Sequence, residues 1–244
     1  MKVKRMALWA GLAVLSAALT AAVLLYAGVF QLNRPSAEAF PIRGVDVSCY
    51  QGEIDWTVLS GQGIRFAYIK ATEGSSMMDP RFAGNWTEAA KTDLRIGAYH
   101  FFSFETGGQT QAENFIASVS PVENMLPPAV DVEPYGSFTE WDPSVPEQLS
   151  AWLRAVEEQY GMKPVIYTTK DFYSGIRAAF PEYELWIRSV YSAPAGEIEW
   201  TFWQYSNRTR LEGYAGDEKF VDMNVFGGTE EEFLRYGSGK ESGE

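Results

Sequence analysis

The chain has 244 residues, 46% of them hydrophobic and 15% aromatic, enough apolar surface for a sizeable core in one large or two small domains. A single cysteine, Cys49, and a single histidine, His100, exclude an intrachain disulfide framework and a zinc site of the usual Cys/His kind. Residues 1–40 hold four bases and one acid, so the net charge of −12 divides into +3 there and −15 in the remainder, too acidic a domain for nucleic-acid binding.

The chain opens on a basic stub, residues 1–5, with Lys2, Lys4 and Arg5. An uncharged run of 25 residues, Met6 to Phe30, follows. As a helix it is long enough to span the roughly 30 Å of a bilayer's hydrocarbon. The basic flank lies before it, which leaves the amino terminus in the cytoplasm and everything after Phe30 outside, a single-pass signal-anchor in the cell membrane. The competing reading is a cleaved signal peptide, since Ala37-Glu38-Ala39 fits the small-residue cleavage pattern. Either way the rest of the chain is exported. Residues 31–41 read as a polar linker, 42–236 as one domain, and 237–244 (GSGKESGE) as a disordered tail.

Eight apolar runs of strand length recur in the domain, at 44–48, 65–72, 95–102, 127–133, 163–169, 184–190, 200–206 and 221–226. Helical patterns lie between the early ones. Asp79-Pro80 starts one that contains Phe82, Trp86 and Ala89. Thr110 with Glu113 and Ser144 with Glu147 suggest capping boxes for two more. Weaker patterns occupy 55–62 and 170–179, and none is predicted in the gaps after Arg188. Five strand–helix units followed by three strands predict an α/β fold, a parallel barrel whose last third has lost its helices; an open doubly wound sheet is the alternative. In a barrel, the polar residues at the strand ends are the ones to weigh.

Asp46 lies late in the first strand, Glu73 just after the second, and Asp131 and Glu133 at the end of the fourth. Residues i and i+2 of a strand share a face about 6–7 Å apart, so Asp131 and Glu133 both point into the barrel mouth. Closure makes the first and last strands neighbours, which brings Asp46 to Asp222. Clustered carboxylates in one cleft raise at least one pKa through repulsion and desolvation. The result is a proton-holding acid beside ionised partners, as glycoside hydrolysis requires. A D-x-E triplet alone is close to a chance event. His100 reads as a core histidine and Cys49 as inert.

Taken in order, GVDVSCYQGEIDW (44–56), FAYIKATEG (66–74), GAYHFF (97–102), PPAVDVE (127–133), PVIYT (164–168), LWI (185–187), FWQYS (202–206) and VDMNVFGG (221–228) resemble the signature segments of glycoside hydrolase family 25, the lysozymes. The resemblance implies an irregular TIM-like (β/α)5(β)3 barrel that cleaves the β-1,4 bond after N-acetylmuramic acid in peptidoglycan glycan strands, with no metal or cofactor. It implies Glu133 as general acid, Asp131 as orienter of the substrate's acetamido group, and Asp46 and Asp222 as the rest of an acidic floor. Glu73, Tyr99, Tyr167, Trp186 and Gln204 are implied to line the sugar cleft. All four acids of the family pattern are present. One departure stands out: Arg188 follows LWI, where the family tends to place a small residue, and Tyr191 comes late. Substrate-assisted retention is the expected mechanism, direct inversion by water its competitor. A non-catalytic wall-glycan-binding module is the alternative from another class.

Overall fold

The computed structural model describes residues 2–30 and 33–237. In chain order the elements are α1 (Lys2–Tyr26), β1 (Arg43–Val47), a 3-10 turn (Cys49–Gln51), α2 (Trp56–Ser60), β2 (Phe66–Glu73), β3 (Met77–Met78), α3 (Phe82–Ala89) and β4 (Arg95–Phe101). Then come α4 (Gly108–Ser118), β5 (Ala129–Val132), α5 (Val145–Tyr160), β6 (Val165–Thr169), α6 (Lys170–Ala179), β7 (Leu185–Arg188), β8 (Phe202–Thr209), β9 (Val221–Phe226) and α7 (Glu230–Arg235).

Eight strands form a closed ring in the order β1-β9-β8-β7-β6-β5-β4-β2, sealed by pairing of β1 with β2. Closure excludes the open sheet. The expectation of a wholly parallel barrel needs correction, because β9 runs antiparallel to both β8 and β1. Parallel neighbours need a crossover of a dozen or more residues. The 13 residues between β7 and β8 supply one without a helix, whereas the 11 between β8 and β9 simply turn the chain back. The two-residue β3 was not expected; it folds back onto the end of β2 outside the ring.

Alternation along the strands sorts the core into two layers. Phe66, Tyr68, Tyr167, Trp186, Phe202 and Phe226 fill the barrel, while Ile69, Ala98, Val130, Ile166 and Ile187 face the helices. Gly44 and Gly97 make the filling possible. A Cβ on either would sit 2.4 Å from the ring of Phe66 or Tyr68, respectively. Helix α5 buries Leu149, Trp152, Leu153 and Val156 along one stripe, as its spacing predicts. Its capping box does not form, because Ser144 has near-helical dihedrals (φ −82°, ψ −19°) where a capping side chain needs an extended backbone. Nor does that of α4, which starts earlier; Thr110 Oγ1 instead donates to Gly107 O at 2.8 Å.

Helix α7 was also unexpected, although Thr229 and Glu232 form a true capping box at its start. It closes the end of the barrel opposite the strand carboxyl ends. Phe233, 1% exposed, packs 5.8 Å from Phe66 and 5.3 Å from Phe226 between ring centroids, and Arg95 donates to Phe233 O and Tyr236 O. Phe233→Ala should cost about 3–5 kcal/mol, the usual range for a buried Phe. A urea midpoint unchanged from the parent would show that α7 is not a plug.

The expected linker is not free. From Asn33 onward it packs on the outside of the barrel, between Ser189 just past β7 and Trp203 of β8. Asn33 Nδ2 donates to Ser189 O at 2.8 Å, Arg43 Nη2 to Pro35 O at 2.9 Å, and Phe40 packs 5.7 Å from Trp200 and 6.0 Å from Trp203. The strap therefore covers apolar surface that a helix covers elsewhere in the barrel. Helix α1 buries no residue, has a mean hydropathy of 2.2, and is long and apolar enough to cross a membrane. Of the tail 237–244, only Gly237 falls among the described residues.

Candidate active site

A cavity of about 500 Å³ opens at the carboxyl ends of the parallel strands. Asp46, Asp131, Glu133 and Asp222 all line it. Asp222 reaches this mouth from the amino end of β9, since that strand is antiparallel, and stands directly opposite Asp46 in the pairing register.

Two carboxamides bind this pair. Gln204 Nε2 donates to Asp46 Oδ2 at 3.0 Å and to Asp222 Oδ2 at 3.1 Å, and Asn224 Nδ2 donates to Asp46 Oδ2 at 2.7 Å. Each amide is oriented from below by an aromatic donor: Tyr167 OH to Gln204 Oε1 at 3.0 Å, and Trp186 Nε1 to Asn224 Oδ1 at 2.8 Å. Those bonds fix which end of each amide faces the acids. Burial raises the pKa of Asp46, but the amide donors oppose the rise. Asp222 is pushed well above the ordinary range by burial and by the charge of Asp46. Burial and mutual repulsion therefore favour a proton shared by the pair.

Asp131 and Glu133 form the second pair. Asp131 is raised well above the ordinary carboxylate range by burial and then by the Glu133 charge. Its Oδ1 has no hydrogen-bond partner among the described residues. Glu133, just past the end of β5, is raised by burial, with the Arg188 cation opposing most strongly. The cleft therefore retains protons that isolated carboxyls would release.

Residues 45–214 match the model of Glycosyl hydrolases family 25. The chain belongs to glycoside hydrolase family 25. A family 25 glycosyl hydrolase from Bacillus anthracis is 46% identical, with a TM-score of 0.77 over 84% of this chain and 97% of that one. Lysozyme M1 of Streptomyces globisporus is 34% identical over 79% of this chain and 70% of its own length. The N,O-diacetylmuramidase of Arthroderma benhamiae is 27% identical over 84% and 92%.

In this family 25 glycoside hydrolase the four expected acids converge on one cavity. The other expected cleft residues divide. Tyr99, Tyr167, Trp186 and Gln204 line the cavity, but Trp186 is 2% exposed and Tyr167 6%, so they build its floor rather than offer a ring face to a sugar. The accessible aromatic surface comes from the expected Tyr99 and from Tyr50, Phe101 and Phe220. Glu73 is not on the cavity wall; it holds Lys70 Nζ at 2.6 Å, and Lys70 is. Lys70 and Asn224 escaped sequence reasoning. The in-facing alternation Phe66, Tyr68, Lys70 was the available signal for the first, and the i+2 spacing from Asp222 for the second.

His100 is a core residue. Its Nδ1 meets Thr72 Oγ1 at 2.7 Å and its Nε2 meets Gln111 Oε1 at 3.0 Å, while Trp152 stacks on its ring. Gln111 Oε1 can only accept, so the proton sits on Nε2. Burial lowers the His100 pKa to about 4. Burial and the Asp79 carboxylate raise the Cys49 thiol, which makes it a poor nucleophile.

Proposed function

We propose that the barrel is an N-acetylmuramidase, cleaving the β-1,4 bond between N-acetylmuramic acid and N-acetylglucosamine in peptidoglycan. The observation that carries this reading is the pair Asp131 and Glu133, two residues apart at the mouth, both with raised proton affinity, above a floor that already shares a proton. The lysozyme and muramidase names of similar chains agree with it.

In this mechanism the substrate's acetamido N–H donates to Asp131, whose Oδ1 has no partner among the described residues. That contact stabilises the ionised form of Asp131, and a charge there in turn raises the proton affinity of Glu133. Substrate binding thereby arms the acid. The acetamido oxygen attacks the anomeric carbon as its bond to the leaving oxygen breaks, and Glu133 delivers its proton to that oxygen. Water then opens the cyclic intermediate with Glu133 as base, giving net retention, one of the exceptions to the two-carboxylate scheme. Asp46 and Asp222, with Gln204 and Asn224, hold the floor and set the charge seen by the upper pair. Helix α1, in the same reading, anchors the enzyme in the membrane with the barrel outside.

Residues 33–244 should release fragments with muramic-acid reducing ends from peptidoglycan, identified by mass spectrometry. The first anomer in an NMR time course should be β. Fragments ending in N-acetylglucosamine would reject the bond assignment, and an α product would reject retention.

A further inference from the structure

Arg188 is the last residue of β7 and alternates with Trp186, so its side chain faces the cavity, beside Gln204 in the register. The other cation of the wall, Lys70, is tied to Glu73 at 2.6 Å. The Arg188 guanidinium has no side-chain hydrogen bond and no ion pair within 4 Å among the described residues, although it is half-buried in a cleft of four carboxylates. Two of those acids, Asp46 and Asp222, are already bound by Gln204 and Asn224. A planar fork of N–H donors left open in a substrate cleft suits a carboxylate, which it can bind with two parallel bonds. Neutral sugar hydroxyls and acetamides do not require that geometry.

Resting on the muramidase reading above, we infer that Arg188 is a specificity residue that binds a carboxylate carried by the muramic-acid unit of the substrate. Two sources share this chemistry. One is the lactyl carboxylate of a strand without stem peptide. The other is a carboxylate of the stem peptide, where the lactyl group is tied up as an amide.

The test compares kcat and KM for the parent, Arg188→Ala and Arg188→Lys on three substrates. These are a peptide-free muramic-acid oligosaccharide, the same oligosaccharide with its lactyl carboxyls methyl-esterified, and a peptide-bearing strand. The parent should prefer the free acid to the ester by about tenfold or more in kcat/KM, mostly through KM, the usual scale for a hydrogen bond to a charged group. Arg188→Ala should erase that preference, and Arg188→Lys should restore only part of it. If the loss appears on the peptide-bearing strand and not on the free acid, the stem peptide is the source. Removing the cation also changes the charge near Glu133, but this acts on acid and ester alike and cancels in their ratio. Equal losses on acid and ester, with the peptide-bearing strand no different, would overturn the inference while leaving the muramidase reading intact. A parent that cuts none of the three rejects both.

Discussion

Replacing Glu133 with Gln should lower kcat on peptidoglycan by about 10³-fold, within the range of general acid–base catalysis, with little change in KM. Gln keeps the shape of Glu and removes the proton that the leaving oxygen must receive. Burial raises the Glu133 pKa, so the parent stays protonated further towards neutrality than an exposed Glu. The basic limb of its rate profile should therefore lie above the ordinary Glu value of 4.5. Arg188 opposes that rise, so Arg188→Ala should move the limb to higher pH on every substrate. Circular dichroism of Glu133→Gln should match the parent, which separates lost chemistry from lost fold. Residual activity above about a tenth would assign the proton to another group, with Asp131 the first to examine.

The strands were legible because their apolar runs alternate or are continuous; strand–helix alternation suits an open sheet as well as a barrel, and the pairing of β1 with β2 decides for the ring. Asp46 could be placed against Asp222 from closure alone, and the register confirms that juxtaposition. The direction of β9 was not legible. It depends on whether an 11-residue connection crosses the barrel or turns back, and composition does not encode that choice. Helix α7 is six residues long and carries Phe233 and Leu234 as its large apolar side chains, too short for a periodic signal. The segment 31–41 reads as a polar linker, and the packing of its Phe40 was not legible because its partners, Trp200 and Trp203, lie far along the chain. Trp186 shows the limit of reading a site from residue type. An aromatic at a strand end suits sugar stacking, yet this one is buried under the cleft with its face on Tyr68, and acts by orienting Asn224.

Asp131→Asn should move stability and activity in opposite directions. Activity should fall by about 10²-fold or more, as for loss of one preorganised polar contact at a reacting centre, because Asn offers the acetamido N–H no anionic acceptor. Stability at neutral pH should rise, because Asn removes a buried carboxyl that ionises less readily in the fold than in the unfolded chain. The sign follows from linkage. Asp131 has a pKa well above its ordinary 3.8 in the folded protein, so the native state holds a proton that the unfolded chain has released. Its contribution is fully present below about pH 4 and is lost as pH climbs through the raised folded value. Asn does not titrate, so the Tm advantage of the variant over the parent should be near zero at about pH 4 and grow steadily towards pH 8. A constant offset across that range would show that Asp131 titrates normally in the fold. A Tm below the parent at pH 8 would show instead that its carboxylate is held by partners, and that the cleft is not the proton-retaining site described above.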